Sequence, residues 1–260
     1  MIDTILEFYN QFCPDFEKYL GAGVVVFARL IGFMKAAPGF SRKEVHNFAK
    51  ICIAVLFTII ICANIPITKQ PQDCSFILTL LLNGAFGMLL GFIANCIVMV
   101  VESGGDMINM QMGLNAASVM EPSTSQQSSV VGRFFALFGL ILFINIGGFY
   151  WLFSAFLRSF EIFPVWAAGF DIEQLVNIPY LVEITSNVLY VGLQIAAPVL
   201  IATLGQDIIL GIISRTAPQV NVFTMSFLFK PIMGCAILVW IMGSLVNIIN
   251  DYFLMFSELF

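Results

Sequence analysis

"FILTLLLNGAFGMLLGFIANCIVMVV", residues 76–101, runs its whole length without an Asp, Glu, Lys or Arg. Crossing the hydrocarbon core of a bilayer takes roughly 20 apolar residues, and this stretch is long enough with residues to spare. Gly84, Gly87 and Gly91 punctuate it and include a GxxxG, a spacing that lets two helix backbones approach closely in lipid. The stretch therefore predicts a membrane helix packed against similar helices. Working outward, five more apolar runs qualify: Leu20–Ala37, Phe48–Pro66, Phe134–Leu157, Ile184–Gln206 and Pro231–Asn250. Five or six spans and an all-α fold follow. The first run carries Arg29 in its interior and is the least regular of the set.

The rest of the composition agrees. Of 260 residues, 60% are hydrophobic and only 10% charged, with a mean hydropathy of +0.96. A soluble domain carries about 25% charged residues, so lipid or partner protein must cover most of this surface. The net charge of −5 and the absence of a basic run exclude nucleic acid as a partner. Six cysteines are scattered without a CxxC pair, mostly in or beside apolar runs, where cysteine acts as a small hydrophobe. Neither a disulfide framework nor a zinc site is expected. The N-terminal "MIDTILEFYN" has acids where a signal peptide has positive charge, and no cleaved leader is expected.

Lys35, Arg42, Lys43 and Lys50 crowd the loop after the first run, which the positive-inside rule assigns to the cytoplasm. Alternation then puts Arg133, Arg215 and Lys230 on that side, and both termini opposite, provided every run crosses independently. The pairs Gly104-Gly105 and Gly147-Gly148 read as breaks or hinges. Pro198 and Pro218 lie in or beside apolar runs, where proline frees a carbonyl that needs another partner. Ser123–Ser129 reads as a polar linker.

Little in the chain carries catalysis. The single histidine, His46, sits in a basic loop with no companion at metal-ligand spacing, and GxSxG, P-loop and HExxH motifs are absent. No enzyme, cofactor or metal site is expected. Two other features stand out. Arg29, Glu102, Asp106, Arg133, Arg158, Asp207, Arg215 and Lys230 lie in or between apolar runs, where charges must be paired, reach the interface or line a polar cavity. Asp207 and Arg215, two helical turns apart, have a spacing that places them on one helix face. The second feature is the methionine cluster Met107, Met110, Met112 and Met120. Such a cluster is most often core filler. Its flexible, polarizable side chains also suit a deformable seal, which packs at rest and yields without breaking fixed bonds.

The stretch "INMQMGLNAASVMEPSTSQQSSVVGRF" (Ile108–Phe134) resembles the FliR family of flagellar export-gate proteins and its SctT/SpaR counterparts in virulence type III secretion. The matching positions are Gln111, Met112, Gly113, Leu114, Ala117, Pro122 and Gly132-Arg133-Phe134. "RSFEIFP" (Arg158–Pro164) and "AAPVLIATLGQDIILGIISRTAPQVNVFTMSFLFK" (Ala196–Lys230) resemble two further blocks of the family, in the family's order. Two positions depart: "NIGGFYW" lacks the histidine the family often has near Asn145, and Glu121 stands where Asp is common.

The resemblance implies a single-copy, all-α subunit of an inner-membrane export gate at the base of the flagellum. It implies a fusion of a P-like part (about 1–183) and a Q-like part (about 184–260), built of membrane-associated helical hairpins. The implied partners are FliP-type and FliQ-type gate subunits, a FlhB-type switch protein, a FlhA-type export protein, membrane lipid and unfolded protein substrates. Export energy would come from the proton motive force and a separate ATPase. Carried onto this chain, the pore plug falls in Gly104–Pro122, with Gly104 and Gly105 as hinge and Met107, Met110, Gln111, Met112 and Gly113 nearest the pore. Arg133, Asp207, Arg215, Pro218, Gln219, Asn221 and Lys230 fall in the packing that supports it. The competing readings are a secondary transporter of a small solute or ion, using Asp207 and Arg215 near Pro198 and Gly205, and a passive membrane scaffold.

Overall fold

The computed structural model describes residues 16–41, 45–65, 75–114, 129–166 and 178–257. Among them are seven α-helices and no strand: α1 (Phe16–Ala36), α2 (Asn47–Asn64), α3 (Phe76–Gln111), α4 (Val130–Asn145), α5 (Gly148–Ile162), α6 (Ile178–Thr216) and α7 (Val222–Ser257). The fold is all-α, as the apolar runs predict. Five of these helices are long and apolar enough to cross a membrane, and six spans result if α4 and α5 count as one. Helices α3, α6 and α7 hold 36, 39 and 36 residues. Each is roughly 54 Å long or more, well beyond a 30 Å hydrocarbon core.

The helix ends obey local chemistry. His46, exposed in its basic loop, is the N-cap of α2: its Nδ1 accepts from the Phe48 amide at 3.3 Å. Ser129 caps α4 by accepting from the Gly132 amide at 2.8 Å. The break expected at Gly147-Gly148 is present. Gly147 ends α4 at φ +86°, a left-handed conformation that a side chain would disfavour, and α5 begins at once.

The helices pack as two compact units. One gathers Met1–Asn95 with Tyr150–Pro179, the other Cys96–Phe149 with Tyr180–Phe260, so α3 contributes to both. In the first unit α1 and α2 lie side by side. The core there is aromatic: Phe33 meets Phe156 at 4.9 Å, Phe57 stacks on Phe153 at 4.8 Å and Phe86 meets Phe163 at 5.1 Å between ring centroids. Helix α2 buries only Ala54, Thr58 and Ile61 and leaves Ile51, Leu56, Ile59 and Ile60 exposed, a profile suited to lipid contact.

Arg29 occupies the centre of this unit and is fully buried. Its Nε donates to Asn83 Oδ1 at 2.9 Å, one terminal nitrogen donates to the Ser159 carbonyl at 3.2 Å, and the other to the Phe163 carbonyl at 2.7 Å. The guanidinium carbon lies 4.0 Å from the ring centroid of Phe160 and 5.1 and 5.4 Å from those of Phe163 and Phe86. These acceptors are all neutral. The carbonyls lie at the C-terminal end of α5, where the helix dipole is negative and carbonyls lack intrahelical donors. Arg29 on α1 thus ties α3 to the end of α5.

The glycines of the opening stretch explain how α1 and α3 come so close. A β-carbon on Gly87 would strike the Arg29 carbonyl, one on Gly91 the Phe33 carbonyl, and one on Gly32 the Gly84 carbonyl. At Gly84 the added carbon would sit 3.7 Å from the Ala28 carbonyl, an ordinary contact. Two substitutions therefore separate packing from propensity. Gly87→Ala should lower the unfolding midpoint in detergent strongly, by overpacking worth about 1–3 kcal/mol. Gly84→Ala should be neutral or stabilising, since alanine favours the helix by about 1 kcal/mol. Equal midpoints for the two variants would contradict this helix crossing.

Candidate functional site

The predicted pore residues fall at the C-terminal end of α3, inside the second unit. Gly104 and Gly105, expected to form a hinge, lie instead within the unbroken helix, and both are buried. Each marks a close approach. A β-carbon on Gly104 would meet the Gly192 carbonyl and Ile195 of α6, and one on Gly105 would meet Phe135 and Gly132 of α4. Gly192 in turn faces the Ser103 hydroxyl, which donates to the Val188 carbonyl at 3.1 Å. Glycines that look like a break in sequence are here the contact points that let α4 and α6 reach α3. The same logic holds one turn earlier, where Gly139 of α4 sits on Val101.

The helix ends in a Schellman motif. The Gly113 amide bonds to the Met110 carbonyl at 3.1 Å and the Leu114 amide to the Asn109 carbonyl at 3.3 Å, with Gly113 at φ +74°. Gly113 is the left-handed residue that this geometry demands. The methionines divide between two environments. Met110 is 70% exposed and Met107 half-buried, whereas Met112 is buried, its thioether filling the notch left by Gly234 on α7. Gln111 is half-buried. Pro122, with Ala117, Met120 and Glu121, lies outside the described residues.

The predicted supporting residues are spread along α4, α6, α7 and the turn between the last two. Arg133 is exposed on the first turn of α4. Asp207 pairs with Lys230 at 2.8 Å, bridging α6 and α7. Its partner thus comes from across the hairpin, and Arg215 is exposed in the last turn of α6. Pro218 and Gln219 form the exposed turn, and Asn221 caps α7 by accepting from the Phe223 and Thr224 amides at 3.1 and 3.3 Å. Sequence reasoning missed Asn109, Ser129, Gly192 and Gly234. Ser129 had a readable signal, a serine just before an apolar run. The other three declare themselves only through partners far along the chain.

Set beside known proteins, residues 20–256 match the bacterial export proteins, family 1. The chain belongs to this family. It is 28% identical to the flagellar biosynthetic protein FliR of Bacillus subtilis (strain 168) over 238 residues, 89% of this chain and 90% of that protein. The flagellar biosynthetic protein FliR of Escherichia coli (strain K12) is 25% identical over 233 residues, 89% of this chain and 87% of its own length. The surface presentation of antigens protein SpaR of Shigella flexneri is 28% identical over 153 residues, 58% of this chain and 57% of that protein. The family expected from the three sequence blocks is the family found, and the apolar helices agree with a membrane-embedded flagellar protein.

The ion pair between α6 and α7 of this export protein gives a reciprocal test. Asp207→Lys or Lys230→Asp alone sets like charges together at a partly exposed site, where such a pair is worth about 0.2–1 kcal/mol. Each should lower the unfolding midpoint in detergent, and the double exchange should recover most of the loss. Additive losses in the double variant would show that the pair does not hold the hairpin.

Proposed function

We propose that this chain is the single-copy R-type subunit of a flagellar type III export gate in the bacterial inner membrane. There it lines the pore for unfolded export substrates and plugs it at rest. Family membership over nearly the whole chain carries this reading and makes the chain a component of a flagellar or type III export apparatus. Its P-like part, to about residue 183, would pack with FliP-type subunits. Its Q-like part, the α6–α7 hairpin, would pack with FliQ-type subunits, with FlhB-type and FlhA-type proteins completing the apparatus. The protein acts by position and movement, with no catalytic residue.

The plug in this reading starts on α3 and extends toward Pro122. Met107, Met110 and Gln111 offer soft, partly exposed surface to the pore, while Met112 fixes the base of the segment on α7. Export requires a closure that yields to a bulky, variable chain and reseals around nothing. Dispersion contacts of methionine are individually weak and re-form in many geometries. Fixed ion pairs at the same place would have to be broken and remade with each substrate.

The experiment replaces the side chains that the fold does not need. Met107→Ser, Met110→Ser and Gln111→Ser together should leave co-purification with the partner subunits intact. Cells carrying them should admit a small hydrophilic dye that wild-type cells exclude. Normal dye exclusion with normal export would remove these residues from the plug.

A further inference from the structure

Polar atoms buried in an apolar helix pair need hydrogen-bond partners, and the amide of Gln206 on α6 lacks them. Gln206 is 9% exposed, and among the described residues neither its Oε1 nor its Nε2 meets a partner. Leaving both atoms unbonded away from water is costly. The Asp207–Lys230 pair fixes where α7 passes this side chain. In an antiparallel hairpin, the turn of α6 before Asp207 faces the turn of α7 after Lys230. The first of these holds Gln206 and Thr203, three residues apart and so on one helix face. Thr203 is fully buried, and its hydroxyl donates to the Val199 carbonyl at 2.8 Å, which leaves its oxygen able to accept. The second holds Pro231, inside α7. Proline has no amide hydrogen, so the Phe227 carbonyl one turn back loses its usual donor while still pointing along the helix toward Pro231.

We propose that the seam between α6 and α7 is a site for internal water, which accepts from Gln206 Nε2, donates to Gln206 Oε1 and directs its remaining hydrogen bonds to the Thr203 hydroxyl and the Phe227 carbonyl. Buried water typically makes about three hydrogen bonds to polar groups that otherwise go unsatisfied, and this seam supplies that many. Size selects the occupant. Both amide atoms of Gln206 are closed off from the surface, so a side chain of a neighbouring protein does not reach them without parting the helices. A water does, and Gly205, next to Gln206, leaves open space where another residue would place a side chain. One turn from their ion pair, α6 and α7 are therefore joined through water, a contact nearly as favourable as a direct hydrogen bond. The claim concerns this hairpin alone and stands whether or not the chain plugs a pore.

The decisive measurement is a structure of the wild-type protein in its assembly at a resolution that shows ordered water. Density for water is expected within about 2.7–3.2 Å of the Gln206 amide and of Thr203 Oγ1. A dry seam, or a protein group bonded to the Gln206 amide in place of water, would overturn the site. A stability series on the full chain in detergent reaches the same question by sign. Gln206→Leu keeps the bulk and removes both polar atoms. With water in the seam, the substitution strands the Phe227 carbonyl, and the melting midpoint should fall by about 2–4 °C. A dry, orphaned amide predicts the reverse, because an apolar side chain relieves its burial, so an unchanged or raised midpoint would also overturn the proposal. Pro231→Ala gives the Phe227 carbonyl an amide donor of its own, and the loss from Gln206→Leu should shrink in that background. Equal losses in the two backgrounds would show that Gln206 and the Phe227 carbonyl share no water.

Discussion

A buried guanidinium with neutral acceptors imposes the geometry of the first unit. Arg29 cannot shed its proton, so its charge has to be solvated by whatever surrounds it. An ion pair would need a second buried ion, with its own desolvation cost of several kcal/mol. The chain uses instead the carbonyls at the end of α5, an asparagine amide and three aromatic faces. Each acceptor lies on a different part of the chain: Asn83 on α3, Ser159 in α5 and Phe163 just beyond it. Satisfying all the donors at once leaves little freedom in how α1, α3 and the end of α5 are arranged. Lysine could not substitute, since its compact ammonium lacks the planar fork that reaches these groups together.

The second constraint is distance. Water drives no helix association within lipid, so close backbone contact and dispersion have to supply it. Glycine removes the side chain that would hold two helices apart, and α3 uses this at both ends. Gly87 and Gly91 admit α1 in the first unit, while Gly104 and Gly105 admit α6 and α4 in the second. One helix is thus the packing spine of each unit in turn. The polar side chains Thr79, Asn83 and Asn109 are tolerated along it because they are buried against protein.

These two constraints explain what was legible in sequence and what was not. Apolar run length, a local property, revealed the helices, and the Gly147-Gly148 pair revealed the break between α4 and α5. Three motif blocks in order revealed the family. The partner of a polar or small residue is a long-range property, and there the reading failed. Gly104-Gly105 read as a break because adjacent glycines weaken an isolated helix, yet α3 runs unbroken through them where α4 and α6 pack. Asp207 and Arg215 were placed on one helix face by their spacing, and only the hairpin delivers Lys230 to Asp207 from the next helix. Asn109 was not singled out, because only the fold brings Val131 to it. Arg29 was correctly marked as needing partners, but nothing local named Asn83 or Ser159.

The end of α3 combines both kinds of contact, and under the proposed function the combination has a purpose. A plug must be soft where it meets the substrate and fixed where it meets the gate, or each passage would unseat it. Met112 in the Gly234 notch, Asn109 on Val131 and Gly104 against α6 are directional or steric contacts that tolerate little displacement. Met110, about 100° round the helix from Asn109, makes none of these contacts and stays exposed. Alternation of buried anchors with an exposed, deformable side chain follows from helical periodicity alone. The Schellman turn at Gly113 then ends the helix at a defined residue.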